Sequence, residues 1–412
     1  MELLRIGLVF ALIVLLLVRR VELWITLCIG GIALGLIYRL PLFMIGEQFF
    51  HAIIEPTSIY LVLALFFILV LSEVMKETGS MRKMIDSFHA VTGDLRAVVA
   101  LLPAMIGLMP IMGGALVSAP LVVEASDALR LSPERRTFLN YWFRHIWEYF
   151  LPTYPGVILA SALLGVSLRE IAAYHSPLTL AAIGGGIYFG FRRVGKGKEG
   201  RADRGWWRGV MGIGSSLFPL LVVLFMVILL RVELVYSLLV AIGIELLRSK
   251  GVWRKIKEII VRTLTSAQVL ITVFMVIYFK QMLEATHAVD GFHSGLCQLG
   301  VPPIILLVVL PFSIGLMTGV TIAFVGVAFP ILVPIITGGD NVLVYLMLAY
   351  ASGYCGVLLS PLHLCLVLTK DYFKAELKKV YRLLWAPVAV VWGVALLVFF
   401  IVVLGLCGCS TM

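Results

Sequence analysis

Charge is scarce in this sequence. Asp, Glu, Lys and Arg make up 14% of its 412 residues, against 61% hydrophobic residues, and the mean hydropathy is +1.06. So little polar surface cannot cover a water-soluble globule, which excludes a soluble domain and leaves a polytopic membrane protein. Cysteine is scarce too. Cys28, Cys297, Cys355, Cys365, Cys407 and Cys409 lie mostly in apolar segments and form no CxxC pair or metal-ligand spacing, so neither a disulfide framework nor a metal site is expected. There is no HExxH and no glycine-framed aspartate pair at membrane depth, and His145-Ile146-Trp147-Glu148 has the wrong spacing for a zincin. An enzyme and a cofactor are therefore not expected. The formal charge of +10 comes from basic residues placed between apolar runs rather than on one soluble face, which speaks for membrane orientation and against a nucleic-acid partner. At the N-terminus the charges follow the apolar run and no small-residue cleavage site is seen, so residues 1–20 read as a retained first span.

What the sequence does have is a repeat. Leu102-Pro103-Ala104-Met105-Ile106-Gly107-Leu108-Met109 returns as Leu310-Pro311-Phe312-Ser313-Ile314-Gly315-Leu316-Met317, with six of eight positions identical at an offset of 208. Thr57-Ser58 matches Thr265-Ser266 at the same offset, and Arg20-Val21-Glu22-Leu23 matches Arg231-Val232-Glu233-Leu234 at 211. The order of the three anchors is kept. The chain thus reads as two copies of one unit: residues 1–194, a linker at 195–210, and residues 211–412. Each copy holds a long apolar stretch interrupted by glycine, the sequence mark of a repeat-built secondary transporter.

Apolar segments fall at 4–18, 21–38, 57–75, 138–165 and 176–191, and again at 211–230, 232–247, 264–284, 340–369 and 383–406. The interrupted stretches, 98–127 and 302–337, are too short for two crossings of about 20 residues each and too broken for one. Each is expected to be a re-entrant hairpin, tolerated where protein or water satisfies the tip backbone. The expected fold is therefore all-α, with five spans and one hairpin per repeat. Five is odd, so the second copy is inverted relative to the first. Loop charge supports this: with the linker in the cytoplasm, 27 of the 33 Lys and Arg fall in inside loops and both termini lie outside.

Two inverted units, each with a hairpin followed by a broken helix, resemble the ion transporter superfamily, which includes gluconate permeases, citrate and dicarboxylate carriers and some sodium/proton antiporters. More narrowly, the chain is similar to a prokaryotic integral-membrane family of unknown function within it. The resemblance implies a multi-pass protein of a prokaryotic cell membrane, elevator-type alternating access, and a homodimer in the lipid bilayer. It spans nearly the whole chain in architecture but not in local motif. Symporters of divalent anions with sodium in this group carry Ser-Asn-Thr at their tips, whereas here the tips read Met112-Gly113-Gly114-Ala115 and Thr318-Gly319-Val320-Thr321. Substrate and coupling ion stay open.

At a hairpin tip the second arm begins with unpaired N–H groups that suit an anion, and the first arm ends in carbonyls that suit a cation. The candidate binding residues are Gly113, Gly114 and Ser118 at one tip and Thr318, Gly319 and Thr321 at the other. A second interruption follows each hairpin, at Pro152-Thr153-Tyr154-Pro155-Gly156 and Ser360-Pro361-Leu362-His363; Thr153, Ser360 and His363 are its candidates. Ahead of the first break, Arg144 and Glu148 are four residues apart and can face each other on a helix, with His145 beside them. Arg144 could bind a substrate carboxylate and Glu148 or His145 could relay a proton; a structural ion pair is the bland alternative. The expected function is secondary transport of a small organic anion coupled to Na⁺ or H⁺. A cation/proton antiporter in which Glu148 exchanges the ions stays open beside it.

Overall fold

A computed structural model describes residues 2–88, 91, 94–109, 114–195, 205–249, 251–265, 268–291, 300–339 and 341–409. Among these residues there are helices and no strand. An apolar environment explains that, because a helix satisfies its backbone within its own segment. Among the described residues, five helical segments are long and apolar enough to cross a membrane: Pro56–Glu77, Trp206–Leu229, Gln268–Ala285, Val342–Phe373 and Leu377–Val403. Large apolar side chains such as Phe43, Leu180, Leu247 and Leu397 stand exposed on the outside, as lipid-facing residues do.

The helices the site depends on come in two matching sets. In the first half α6 (Leu95–Gly107) and α7 (Gly114–Ala128) pack on each other and are followed by α8 (Pro133–Arg144), an irregular stretch at 145–154, and α9 (Pro155–Leu164). In the second half α15 (Pro303–Thr318) and α16 (Thr321–Thr337) pack on each other and are followed by α17 (Val342–Leu359), a break at 360–363, and α18 (Leu364–Phe373). Here helices are numbered in chain order among the described residues. The remainder are α1 (Glu2–Val18), α2 (Leu23–Ile37), α3 (Leu42–Ile54), α4 (Pro56–Glu77), α5 (Ser80–Phe88), α10 (Leu168–Phe191), α11 (Trp206–Leu224, continued by a π turn to Leu229), α12 (Leu234–Arg248), α13 (Ile256–Thr265), α14 (Gln268–Ala285) and α19 (Leu377–Cys409).

Two contacts recur across the halves. The glycine of the repeated motif lets the first arm touch the backbone of the following helix: a Cβ at Gly107 would collide with the Arg144 carbonyl, and one at Gly315 with the Gly353 carbonyl. Those partners are 209 residues apart, one more than the motif offset. The second arm of each set also reaches across, α16 packing on α9 and α7 on α18. The site therefore sits where the two sets interlock.

Several boundaries differ from expectation. α3 lies in a stretch with no expected span, because Glu47, Gln48 and His51 dilute its apolar content. The segment expected at 138–165 begins five residues earlier and stops at Arg144, so its break opens at His145 rather than Pro152. α11 begins at Trp206, inside the segment expected as linker; residues 196–204 of that linker lie outside the described ones.

Candidate functional site

The unwound stretch 145–154 is buried, which would strand its carbonyls without donors. Side chains from other helices supply them. Tyr354 Oη donates to the His145 carbonyl at 3.0 Å, Thr179 Oγ1 to Ile146 at 3.0 Å, Tyr350 Oη to Glu148 at 3.0 Å and His175 Nδ1 to Tyr149 at 2.8 Å. The end of α17 is held in the same way, with Tyr141 Oη donating to the Leu358 carbonyl at 3.1 Å and Tyr381 Oη to Leu359 at 3.0 Å. Neutral donors placed on freed carbonyls keep both breaks open at low cost. Trp147 Nε1 ties the first break to α6 by donating to the Ala104 carbonyl at 2.7 Å, and Tyr154 Oη donates to that of Gly107.

Between the breaks stands a cluster of ionisable side chains. Arg144, His145, Glu148 and His363 are all buried. Arg144 Nη1 lies 3.7 Å from Glu148 Oε1 and 3.3 Å from His145 Nε2, and His145 Nε2 lies 3.8 Å from the same carboxylate oxygen. Thr321 Oγ1, the first helical residue after the second tip, donates to Glu148 Oε2 at 3.3 Å. His363 joins the halves: its Nδ1 is 2.8 Å from the Gly319 carbonyl of the tip and its Nε2 3.1 Å from His145 Nε2. Two charges buried side by side cost far less than either alone, because each offsets the desolvation of the other.

The candidates read from sequence divide into four groups. The structure brings together Arg144, His145, Glu148, Thr321, Gly319 and His363, with Gly114 against the guanidinium: a Cβ there would lie 2.9 Å from Arg144 Nε. Ser360 is buried beside them and its Oγ accepts from the Leu362 N–H at 3.1 Å. Ser118 and Thr318 donate their hydroxyls into their own helices, Ser118 to the Gly114 and Ala115 carbonyls and Thr318 to that of Ile314 at 2.7 Å. Thr153 is buried with no hydrogen-bond partner for its Oγ1 among the described residues. Gly113 lies outside the described residues, as does Cys297.

Sequence reasoning missed Tyr141, Tyr350, Tyr354 and Asn140. Asn140 Nδ2 links the halves by donating to the Ala115 carbonyl at 3.0 Å and to Thr369 Oγ1 at 3.4 Å. A signal existed: Tyr350 and Tyr354 are four apart on one helix face, opposite the charged segment 144–148. His145, His363 and Cys365 offer ligand atoms within 4.8 Å of one another, the one grouping of metal-ligand type found among the described residues. The guanidinium 3.3 Å from His145 Nε2 puts a fixed positive charge beside that nitrogen, so the set fits a divalent ion poorly.

A cavity of about 640 Å³ opens beside the second tip, lined by Thr318, Val320, Pro361 and Leu362 and by the basic residues Arg20 and Lys370. It reaches the residues on either side of the Gly319 to His363 contact.

Long apolar helices around a buried charged cluster, with two unwound segments facing each other, point to the class of helical membrane proteins. Within it the chain belongs to the DUF401 family, described as a protein of unknown function, whose family model matches residues 3–403. No curated protein matches the chain.

Proposed function

We propose that this protein is a secondary active transporter of the ion transporter superfamily, moving a small organic anion across a prokaryotic cell membrane by elevator-type alternating access. In this reading α6–α7 and α15–α16 are re-entrant hairpins, the two halves are inverted repeats, and Na⁺ or H⁺ drives transport. The observation that carries it is the meeting of the second tip with both breaks, through Thr321 on Glu148 and His363 on Gly319. Discontinuous helices that face each other across a repeat interface are how transporters build a binding site.

The charge distribution favours an anion. The Arg144 guanidinium abuts Gly114, where α7 begins and its N–H groups and positive dipole end converge. Glu148 lies 3.7 Å from that guanidinium, and Arg20 and Lys370 line the adjoining cavity. Loop charge puts residues 19–20 and 370–382 on the cytoplasmic side, so the cavity belongs to an inward-facing state. The Arg144–Glu148 pair favours a second reading: a cation/proton antiporter in which Glu148 is the exchanging carboxylate and no organic substrate exists.

Thermal unfolding of the purified protein against small carboxylates, with and without Na⁺, separates the two, since ligands of the folded state raise its apparent stability. Stabilisation by one carboxylate is expected. A response to Na⁺ or pH alone, with every carboxylate silent, would replace the anion carrier by the antiporter.

A further inference from the structure

Both histidines in the cluster have one ring nitrogen committed. His145 Nδ1 faces the Tyr141 carbonyl at 2.6 Å and His363 Nδ1 faces the Gly319 carbonyl at 2.8 Å. A carbonyl only accepts, so each Nδ1 carries a hydrogen. A neutral imidazole has one N–H, which leaves a bare lone pair on each Nε2. Those two lone pairs would face each other at 3.1 Å between buried rings, the one on His145 also 3.3 Å from Arg144 Nη1. The contact becomes a hydrogen bond only when one Nε2 gains a proton.

We infer that His145 and His363 together bind the coupling ion, and that this ion is one proton shared between their Nε2 atoms across the two halves of the protein. The inference rests on the transporter reading and names its driving ion. Arg144 Nη1, 3.3 Å from His145 Nε2, makes His145 the acceptor of the pair, so His363 carries the proton. As an imidazolium it donates to the Gly319 carbonyl and to His145 Nε2 together. The proton comes from solvent, to which a cavity opens at Leu362 and Leu364 on either side of His363 in the chain, and no other bond is broken.

The groups around the pair decide whether a positive charge can stay there. From the first break and α8, Arg144 opposes it and the Glu148 carboxylate, 3.8 Å from His145 Nε2, favours it. The Tyr141 ring packs on both imidazoles; Tyr354, from α17, holds the His145 carbonyl; and Cys365, from α18, presents its thiol within 4.8 Å. From the second tip come the Gly319 carbonyl and the Thr321 hydroxyl on Glu148. With the proton, tip, second break and first break are tied in one chain of hydrogen bonds. Without it the lone pairs repel and the His145–His363 link between the halves is lost, while Thr321 on Glu148 still holds the tip, so proton loss loosens the contact between the halves without breaking all of it.

Nitrogen NMR of the full chain in lipid nanodiscs, with ¹⁵N-labelled histidine, tests this without any substrate. In a titration from about pH 8 down to about pH 4, wide enough for a buried histidine, we expect the pair to pass from two bare Nε2 atoms to one protonated and one bare, coupled through the shared hydrogen. The coupling through the shared hydrogen should vanish in His145→Gln and in His363→Gln, while His175→Gln, which alters a histidine bonded to the Tyr149 carbonyl, leaves it. Raising the pH should remove one proton per chain. Two bare Nε2 atoms throughout the range would overturn the inference, as would a proton that never leaves. So would one equivalent of bound metal, found by elemental analysis of the wild type and lost in His145→Gln. The shared proton with all carboxylates silent would sink only the anion carrier; a responding carboxylate with two bare nitrogens would sink only the proton pair.

Discussion

At the scale of single residues, two glycines separate backbone strain from crowding. Gly165 and Gly319 both have positive φ, +66° and +67°. A Cβ at Gly165 meets nothing within 4 Å, whereas one at Gly319 would lie 2.7 Å from the His363 nitrogen and 3.0 Å from Ser360 Oγ. Gly165→Ala should therefore cost only the left-handed backbone term, about 1–2 kcal/mol. Gly319→Ala should cost more and also abolish stabilisation by ligand, because it drives the tip away from the second break. Thermal unfolding of the two variants checks this, and equal losses would mean that the tip contact is not tight. Much of this cluster was legible in the sequence. Arg144, His145 and Glu148 stand out as charge in an apolar run, and His363 follows two residues after a proline. The tyrosines were not legible, since a tyrosine in such a run looks like any other aromatic until the carbonyl it serves is known. Nor does sequence reveal that Ser118 and Thr318 spend their hydroxyls on the preceding turn.

Helix ends are where sequence and structure parted. Prolines 152 and 155 mark where the first break finishes, not where it starts, and the aromatic-rich residues 141–150 would pass for continuous helix. What stops the helix at Arg144 is tertiary: four side-chain donors from other helices capture the carbonyls of residues 145, 146, 148 and 149. The start of α10 is by contrast local and testable. Ser167 Oγ accepts the Glu170 N–H at 3.2 Å, while Glu170 Oε2 accepts from the Ser167 hydroxyl at 2.6 Å and its N–H at 3.0 Å, a capping box ahead of the span expected at 176–191. The hydroxyl bond first, then the backbone one, holds the Glu170 carboxyl below its usual value. A carboxyl lowered by folding adds stability above its unfolded value, about 4.3, and loses it as pH falls through the folded value. Ser167→Ala should cost about 0.5–2 kcal/mol at neutral pH, with the gap to wild type narrowing in acid. Melting curves at several pH values measure it; a gap that ignores pH would remove Glu170 from the cap. Packing between elements offers a companion test. Gly315→Ala should wedge α15 off α17, since its Cβ would also come 3.0 Å from the Val357 nitrogen, whereas Gly393→Ala on α19, with nothing within 4 Å, should be silent in the same melting assay.

For the molecule as a whole, the question is whether its halves run in opposite directions. The offset motif, the shared glycine contacts and the crossed packing of α16 on α9 and α7 on α18 describe two similar units. Similar units alone do not say which way each faces. The direction comes from loop charge, with 27 of 33 basic residues on one side if the halves are inverted. That argument can be tested at two exposed positions outside the repeated motifs, Arg82 in the first turn of α5 and His287 just after α14. In a chain whose native cysteines are replaced by serine, Arg82→Cys should resist a membrane-impermeant thiol reagent in intact cells and react once they are opened. His287→Cys should react at once. Labelling of both from the same side would sink the inversion and with it the odd number of spans per half. A swap of the two sides would keep the inversion but move the basic loops outside, and the cavity beside Arg20 and Lys370 would then belong to an outward-facing state.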